Sequence, residues 1–261
     1  MTWPSVSIGI PTWNRARLVR RAIDSVLDQD YQGHIEIVVA DDGSGDKTRR
    51  VVKAYGNQVV YIRGRHKGIA HAKNVALRQA SGEVRGLLDD DDWYEPQFVR
   101  RCVQTLLENR DRGIGLVYTD DVIVEDDVRY PAPALDWDIT KLLETCNLRT
   151  GGWLGWWSAL ERTRLHDERL ESDEDYDLVY QLAKVTELLR VPEPLHCIYR
   201  HSGCMTSKKE KTTYWHAAVL SKHGFPVDYA LLRAERHGAG REWDQVIADG
   251  YQFGKTLRDQ L

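Results

Sequence analysis

The sequence has no hydrophobic run long enough to cross a membrane. Its most apolar stretch, residues 153–160, already includes Gly155 and Ser158, whereas a transmembrane helix needs about 20 apolar residues. Residues 1–5 also lack the basic and apolar regions with which a secretory signal begins. We therefore expect a cytoplasmic protein without a transmembrane segment, which leaves peripheral membrane contact open.

Cysteine is scarce, with four residues among 261. Cys102, Cys146, Cys197 and Cys204 form no Cys-x-x-Cys motif and do not have the paired spacing of zinc ligands. In a chain of this length, isolated cysteines are typical of reduced and mostly buried thiols. The sequence thus disfavours both a disulfide framework and a structural zinc site.

The common phosphate-binding loops are absent as well. The sequence contains neither a Gly-x-Gly-x-x-Gly motif nor a Walker A motif. The segment Gly64–Gly68 precedes a predicted helix but lacks the terminal Lys-Ser/Thr of a P-loop. A P-loop kinase or ATPase is therefore disfavoured, and we expect any bound phosphate to contact a metal ion and cations such as Lys73.

An excess of basic residues is also missing, since 40 acidic residues outnumber 36 basic ones and give a formal net charge of −4. With 42% hydrophobic and 29% charged residues, the composition is that of a folded globular protein. The mild acidity argues against a general nucleic-acid-binding surface. However, Asp89–Asp92 alone supply four of the negative charges, so an anionic acceptor remains open.

The first half of the chain alternates predicted strands and helices. Short apolar, β-branched runs predict strands, and apolar residues spaced for one helical face predict helices. Such repeats are typical of a mainly parallel sheet covered by helices on both faces, which is an α/β fold. The predicted strands are Val6–Ile10, Ile35–Ala40, Val59–Ile62 and Val84–Leu88, and the predicted helices are Arg15–Asp30, Asp46–Tyr55 and Ile69–Ala80.

The second half is more irregular. No repeat or long linker divides the chain, so we expect one domain over residues 1–225, with halves 1–120 and 121–225, and a helical extension over 226–261. A polar loop is expected over residues 202–213, with helical structure from Tyr214 onwards. Leu116–Tyr118, Val122–Val124 and Val128–Tyr130 are predicted as short antiparallel strands around acidic turns, Leu195–Tyr199 as another strand, and Ile139–Cys146 and Ser172–Ala183 as helices.

Three predicted strands of the first half end in polar sequences. These are Pro11-Thr12-Trp13-Asn14, Asp41-Asp42-Gly43-Ser44 and Asp89–Asp92. Because the carboxyl ends of parallel strands meet at one edge, we expect all three to line one ligand-binding crevice. Four adjacent carboxylates repel one another, and a divalent cation such as Mg²⁺ or Mn²⁺ would neutralise them. Because Mg²⁺ usually also binds substrate phosphates, a diphosphate ligand is implied alongside the ion. The alternative is a solvated acidic turn, and Asp41–Ser44 alone also fits an ordinary turn and helix cap.

Several features of the second half allow two interpretations each. Glu174–Asp177 fits either a general base facing a metal–diphosphate site or acidic residues favoured in the first turn of a helix. His201 fits either a ligand or an ordinary hydrogen-bonded histidine. Residues 153–157, with three tryptophans, fit either a sugar-stacking surface or core. The Lys208, Lys209 and Lys211 cluster fits either a solvated loop or a phosphate contact.

Taken together, these motifs resemble those of family 2 glycosyltransferases with the GT-A fold. The likeness covers about residues 5–205 and rests on motifs in a matching order. It implies a Rossmann-like, mainly parallel central sheet with helices on both faces and a small antiparallel part in the acceptor half. The motifs are Ser7–Asn14, Asp41–Ser44, Gly68 with Lys73-Asn74, Gly82-Glu83, Leu88–Asp92 with Pro96, and Glu174–Leu178.

The resemblance implies a metal-dependent, inverting transfer of a sugar from a nucleotide-sugar, with a UDP-sugar favoured and Mn²⁺ or Mg²⁺ as the ion. It assigns catalysis to Asp175 as the base and Glu174 as its acidic companion. It places Asp91 on the metal, with Asp89 and His201 as further ligands. It assigns the donor site to Pro11, Thr12, Asn14, Asp42, Lys73, Asp89 and Asp90.

The acceptor lies outside the resemblance. A hydroxyl of a cell-surface glycan or lipid-linked saccharide is our leading expectation, with a modified nucleic-acid base or a polypeptide as alternatives. Two other classes of protein also remain open. A nucleotidyltransferase would attack phosphorus instead of the anomeric carbon, and a non-catalytic module would only bind the nucleotide-sugar.

Overall fold

The computed structural model describes residues 2–138, 151–201, 209–226, 230 and 244–260. Within these ranges the chain forms nine strands and eight α-helices. The strands are β1 (Val6–Thr12), β2 (Ile35–Asp41), β3 (Val60–Arg63), β4 (Val84–Leu87), β5 (Trp93–Tyr94), β6 (Ile114–Glu125), β7 (Val128–Ala132), β8 (Trp153–Trp156) and β9 (Glu187–Tyr199). The helices are α1 (Leu18–Leu27), α2 (Thr48–Lys53), α3 (Ile69–Gln79), α4 (Phe98–Glu108), α5 (Trp157–Leu160), α6 (Glu174–Leu182), α7 (Lys209–Lys222) and α8 (Asp244–Asp259).

All nine of these strands belong to one sheet. Their order is β3-β2-β1-β4-β8-β6-β9-β5, and β7 pairs with β6 beside this path. The strands β1 to β4 run parallel, β8 is antiparallel to both β4 and β6, and β9 is parallel to β6. Six strands therefore point their carboxyl ends to the same edge, which is where α/β sheets bind ligands. The predicted α/β fold with a mainly parallel sheet is confirmed.

Helices cover both faces of the sheet. Val6, Ile8 and Ile10 of β1 point to the face that α1 and α4 cover. Leu87 and Leu116 lie in the core of the opposite face, with α3, α6, α7 and α8. The strand β1 approaches α3 at Gly9, where an added Cβ would lie 2.7 Å from Ala76 Cβ. This close contact brings the start of α3, and the residues it carries, towards the ligand-binding edge.

The first-half elements occur where the sequence predicts them, with ends within three residues, and β1 shows the most informative difference. The strand continues through Pro11 to Thr12 rather than ending at Ile10. Thr12 O accepts a bond from Asp42 N on the β2 side, whereas Gly9 O accepts one from Leu88 N on the β4 side. Pro11 therefore faces the β4 side, where the paired register has already ended at Gly9. Its missing N–H costs the ladder no hydrogen bond.

The strands of the second half are longer than predicted. Residues 116–118 and 122–124 are parts of one strand, β6, so no acidic turn separates them. The acidic residues between them are paired inside the sheet, Asp120 with Arg190 and Asp121 with His196. Residues 195–199 are likewise only the end of β9. The antiparallel strand predicted at Val128–Tyr130 is confirmed as β7.

The tryptophan-rich segment forms β8 in the middle of the sheet. Trp153 and Trp156 are buried in the two cores, one on each face. Trp157 is partly buried and lies against the guanidinium of Arg85, whose Cζ is 3.7 Å from the ring centroid. Of the two interpretations of this segment, the structure supports core packing.

The C-terminal region contributes to the same core. Ile247 and Leu257 of α8 belong to the apolar cluster that contains Leu87 of β4. Lys209 lies at the start of α7, so the loop predicted for residues 202–213 ends earlier than expected. The helix predicted at 139–146 and the residue Lys208 lie outside the described ranges, and the boundary between residues 225 and 226 stays a prediction.

The cysteines that the structure describes are buried and form no disulfide. Cys102 and Cys197 are buried free thiols, while Cys146 and Cys204 lie outside the described ranges. In the part of the chain that the structure covers, no helix has the length and apolar character to span a bilayer.

Candidate active site

The structure brings two of the predicted polar strand ends into direct contact. Thr12 Oγ1, at the end of β1, donates a hydrogen bond of 2.6 Å to Asp90 Oδ2 in the acidic run after β4. Arg15, just beyond β1, contacts the same run through Asp90 Oδ1 at 3.0 Å and Asp91 Oδ2 at 2.5 Å. The ends of β1 and β4 therefore form one polar cluster, as the sequence predicts.

The third strand end, after β2, is tied to the same loop of β1. Asn14, in the loop after β1, has a positive φ of 55°. Two hydrogen bonds join it to the loop after β2: its N–H donates to Ser44 Oγ at 2.8 Å, and its Oδ1 accepts from Gly45 N at 2.8 Å. Asp42 is buried and accepts hydrogen bonds from the backbone N–H groups of Lys67 and Gly68. Trp13 is 46% exposed and stacks on His66 at 4.2 Å. The cluster thus extends to an exposed aromatic ring beside Asp42.

Asp89–Asp92 is not a solvated turn, because its carboxylates have separate protein partners. Asp90 and Asp92 are buried, and Asp92 Oδ1 accepts a bond from Tyr199 N at 2.9 Å. Asp91 Oδ2 lies 3.0 Å from His201 Nε2 as well as against Arg15. The structure therefore brings Asp91 together with His201, two of the predicted metal ligands.

The acidic run remains electrostatically strained. Burial, together with Asp92, Asp175 and Asp91, raises the pKa of Asp89 well above its usual range although Lys73 opposes the shift. Burial also raises the pKa of Asp90 to about 6, against the favourable contacts of Arg15 and Thr12. A nearby cation would stabilise the ionised form of these carboxylates and lower their pKa values.

A preformed metal cage is absent from the described residues, where no three His, Cys, Asp or Glu side chains converge on one point. Mg²⁺ is commonly held by one or two carboxylates together with substrate phosphates and water. Asp91 with His201, next to the strained Asp89, fits such an open arrangement.

Lys73 forms ion pairs with the second acidic cluster, Glu174 and Asp175, which occupy the ammonium that the sequence predicts to bind a phosphate. Its Nζ donates to Glu174 Oε1 at 2.7 Å and to both oxygens of Asp175 at 2.9 Å. Burial by itself lowers the pKa of Lys73, but Asp175, Glu174 and Asp89 outweigh it and raise the pKa above the usual value. The ammonium is therefore charged and fully engaged at the start of α6. The sequence predicts a phosphate contact for Lys73, whereas the structure pairs its ammonium with Glu174 and Asp175.

Asp175 is anchored on one side and accessible on the other. Its side chain is 26% exposed, whereas the side chain of Glu174 is 5% exposed. Burial acts to raise the pKa of Asp175, but Lys73 and His166 outweigh it and hold the pKa well below its usual range. Asp175 is thus an ionised carboxylate that Lys73 and His166 hold in place and that stays partly exposed to solvent.

The remaining acid of the predicted cluster has a different role. Asp177 is completely buried and pairs with Lys222 Nζ at 2.7 Å and His223 Nε2 at 2.8 Å, both on or just after α7. Only Glu174 and Asp175 therefore face the strand ends, while Asp177 joins α6 to α7.

Sequence reasoning missed Arg15, His166 and His196. His166 Nε2 lies 3.1 Å from Asp175 Oδ1, and buried His196 lies 2.8 Å from Asp121 Oδ1 and 3.4 Å from Asp92 Oδ2. Arg15 follows a polar strand end and could have been found from that position. The two histidines reach the site from residues far apart in sequence, so no local pattern marks them.

Residues 7–148 match the family model described as Glycosyl transferase family 2. The chain is also 32% identical over 191 residues to a chondroitin synthase of Pasteurella multocida, and this match covers 70% of this chain and 19% of that protein. The matched region spans about three fifths of the first curated relatives, two uncharacterized glycosyltransferases.

Solved structures show the same fold. The crystal structure of S. aureus TarS 1–349 in complex with UDP-GlcNAc superposes with a TM-score of 0.74 at 19% identity, covering 98% of this chain and 83% of that one. The mannosyltransferase PcManGT from Pyrobaculum calidifontis, in complex with GDP-Man and Mn²⁺, superposes with a TM-score of 0.63 at 18% identity, covering 99% and 73%.

Proposed function

Because this chain belongs to glycosyl transferase family 2, we propose that it is a metal-dependent, inverting glycosyltransferase. It transfers a sugar from a nucleotide-sugar to an acceptor hydroxyl. The observation that carries this proposal is the partly exposed Asp175 carboxylate, held by Lys73 beside the acidic run that follows β4. A protein that only bound nucleotide-sugars would have no need of this second acidic cluster.

The donor site lies at the ends of β1, β2 and β4. Asp42 with Trp13 provides a buried carboxylate beside an exposed aromatic ring, which suits a nucleobase, and Pro11, Thr12 and Asn14 shape the neighbouring loop. TarS was crystallised with UDP-GlcNAc, which favours a UDP-sugar, whereas PcManGT was crystallised with GDP-Man. We therefore propose UDP-GlcNAc as the first donor to test and GDP-mannose as the second.

A divalent ion fits the residues at the end of β4. Asp91, with His201 at 3.0 Å and the strained Asp89, supplies the oxygen and imidazole donors that Mn²⁺ and Mg²⁺ accept. When bound, such an ion stabilises negative charge on a leaving diphosphate. Arg15 adds a fixed positive charge beside Asp90 and Asp91.

Asp175 performs the proton transfer. An oxygen of its carboxylate accepts the proton of the acceptor hydroxyl while the hydroxyl oxygen bonds to the anomeric carbon of the donor. The bond between that carbon and the diphosphate oxygen breaks, and its electron pair leaves with the nucleoside diphosphate. Attack from the side opposite the leaving group inverts the anomeric centre. Base assistance of this kind contributes about 10²–10⁴-fold to the rate.

We propose a glycan, free or lipid-linked, as the acceptor. The similarity to a chondroitin synthase supports a saccharide acceptor. The residues of the donor site do not select the molecule that carries the acceptor hydroxyl. A modified nucleic-acid base and a polypeptide are the other acceptors to include in the test.

The test is an array of donors and acceptors with the products identified by mass spectrometry. With Mn²⁺ or Mg²⁺ present, release of a nucleoside diphosphate together with a glycosylated acceptor of inverted configuration is expected. Release of pyrophosphate would instead indicate a nucleotidyltransferase. Binding of donors without any bond cleavage would indicate a non-catalytic module, and retained configuration would contradict the direct displacement.

A further inference from the structure

Arg21 of α1 reaches the acidic run after β4, and the proposed reaction does not yet use it. Its Nη2 donates a hydrogen bond of 2.5 Å to the backbone oxygen of Asp91. Its Cζ lies 3.9 Å from the ring centroid of Trp93 and 4.5 Å from that of Tyr199. One guanidinium therefore contacts the loop after β4, the strand β5 and the end of β9.

The cleft that receives this guanidinium is formed by strand pairing. Trp93 of β5 lies opposite Cys197 of β9, and Tyr199 is two residues farther along β9, so its side chain leaves the sheet on the same face. The two ring centroids are 6.5 Å apart, and the rings are tilted by 52°. The helix α1 is tied to β5 by a hydrogen bond of 3.2 Å from Tyr94 N to Ser25 Oγ. The sheet and α1 together therefore set the position of the guanidinium.

Tyr199 extends this contact to His201. The two rings are nearly parallel, at 25°, with their centroids 5.3 Å apart, and His201 Nε2 lies 3.0 Å from Asp91 Oδ2. Arg21 thus contacts both residues proposed to hold the divalent ion, Asp91 directly through its backbone oxygen and His201 through the ring of Tyr199. A displacement of the guanidinium would move both of them.

Arg21 occupies the cleft at a cost that packing alone does not require. Among the described residues, its Nε is buried without a hydrogen-bond partner. Burial also lowers the pKa of Arg21, although Asp92 and Tyr199 oppose the shift, and a guanidinium keeps its proton in proteins. A buried polar atom without a partner is unfavourable, whereas an apolar side chain would fill the cleft without it. Positions that break such a local rule are often functional.

The charge of Arg21 by itself would oppose metal binding. Arg15 already contacts the carboxylates of Asp90 and Asp91, and a second cation beside Asp91 repels a divalent ion on the same residue. If Arg21 acted through its charge alone, its removal would strengthen metal binding. If it acts by holding Asp91 and His201 in place, its removal weakens metal binding. The direction of the effect therefore separates the two roles.

We infer that Arg21 is a positioning residue for the divalent-ion site, holding Asp91 through its backbone oxygen and His201 through the ring of Tyr199. This role rests on the proposed function, because the ion belongs to that reaction. Binding of the ion with a nucleoside diphosphate can nevertheless be measured without any sugar transfer.

The test is a calorimetric titration of the protein with UDP and with GDP, each in Mn²⁺ and in a chelator. The ratio of the two affinities is the gain that the metal provides. Arg21→Met should lower this gain by about 10–100-fold, the range for residues that orient metal ligands, and leave binding in the chelator unchanged. Arg20→Met is the matched control, because it removes an equal charge from the neighbouring, exposed position. It should keep the wild-type gain.

Arg21→Lys separates charge from shape. Lysine keeps the positive charge but lacks the planar, forked group that lies on aromatic rings while it donates hydrogen bonds. Its metal-dependent gain should therefore be as low as that of Arg21→Met, and it supplies the comparison if Arg21→Met does not fold. A wild-type gain in folded Arg21→Lys, or an increased gain in Arg21→Met, would overturn the inference.

A double-mutant cycle tests the route through Tyr199. Tyr199→Leu should lower the metal-dependent gain, and adding it to Arg21→Met should lower the gain little further, because both changes interrupt the same contact. A combined loss equal to the product of the two separate losses would show that Arg21 does not act through Tyr199.

The inference and the proposed function can fail separately. A wild-type protein that gains no affinity for UDP or GDP from Mn²⁺ would overturn the role of Arg21, and sugar transfer by the same protein would leave the transferase activity standing. Conversely, a gain that depends on Arg21 in a protein that transfers no sugar would support the role of Arg21 and contradict the proposed function.

Discussion

At the scale of single residues, the chemistry depends on a carboxylate whose two sides face different surroundings. Asp175 bonds Lys73 and His166 on its inner side and reaches solvent on its outer side. Its neighbour Glu174 is buried and serves to hold the ammonium. The two acids are therefore not interchangeable although they are adjacent in sequence.

Replacing Asp175 by Asn keeps the size of the side chain and removes its ability to accept a proton as a base. We expect kcat to fall by about 10²–10⁴-fold, while binding of UDP with Mn²⁺, measured by calorimetry, persists. Asp28→Asn, at an exposed position at the end of α1, is the control and should keep full activity. Normal turnover by Asp175→Asn would show that another group is the base.

Replacing Asp91 by Ala removes the carboxylate that lies against His201 and Arg15. We expect metal-dependent binding of UDP-GlcNAc to weaken by at least about 10–100-fold, the loss found even for indirect partners of a metal. The measurement is a calorimetric titration with and without Mn²⁺. Asp111→Ala removes an equal charge at an exposed position and should bind as wild type. A Mn²⁺ dependence that survives in Asp91→Ala would place the ion elsewhere.

His196 predicts a loss of stability at alkaline pH. Burial lowers its pKa, but Asp121 and Asp92 outweigh burial and raise it to about 10, above the ordinary value of about 6.5. A raised folded-state pKa stabilises the fold fully below about pH 6.5, and this contribution disappears as pH rises towards 10. Urea unfolding of wild type should show the decline between these values. His196→Gln should lack that component, and parallel pH profiles would disprove the charged pair.

At the scale of elements, the contact between β1 and α3 holds the site together. An added Cβ at Gly9 would lie 2.7 Å from Ala76 Cβ and 2.9 Å from Leu87 Cδ2. Since α3 carries Lys73 and Asn74, any displacement of this helix moves the partners of Asp175 and His166.

Gly9→Val should therefore destabilise the protein and also disturb the site. Overpacking of this kind costs about 1–3 kcal/mol, which urea unfolding monitored by circular dichroism can measure. Gly45→Ala is the control, because its added Cβ meets nothing closer than 4.0 Å. Wild-type stability of Gly9→Val would mean that α3 lies farther from β1 than described.

The elements also show which parts of the structure follow from sequence. The alternating apolar runs of the first half locate β1–β4 and α1–α3, because each strand lies between clear turn residues. The joining of residues 114–125 into one strand does not follow, because Asp120 and Asp121 resemble a turn until Arg190 and His196 pair with them. Likewise, Asp175 can be proposed from its motif, whereas its contact with His166 depends on the bend at Leu165.

At the scale of the whole molecule, the chain's last described helix is part of the central core. Leu257 of α8 is 2% exposed and shares a cluster with residues of β4, α6 and α7. The described regions should therefore unfold in one cooperative transition instead of losing α8 first.

Leu257→Ala tests this cooperativity. The cavity should lower the free energy of unfolding by about 2–5 kcal/mol, with far-ultraviolet dichroism and tryptophan fluorescence shifting together. Thr256→Ala, exposed on the same helix, should change stability little. Two separate transitions, with only the first shifted, would show that α8 folds as an independent unit.

The position of β8 sets an order of events during synthesis. Val84 of β4 pairs with Trp156, so one side of β4 has no partner strand until the ribosome has made β8. Until then the nascent chain presents an apolar strand edge that another polypeptide can join. Folding of the first half is thus completed by a late, distant segment, and a fragment that stops before Trp153 should aggregate even though it contains all of β1–β4.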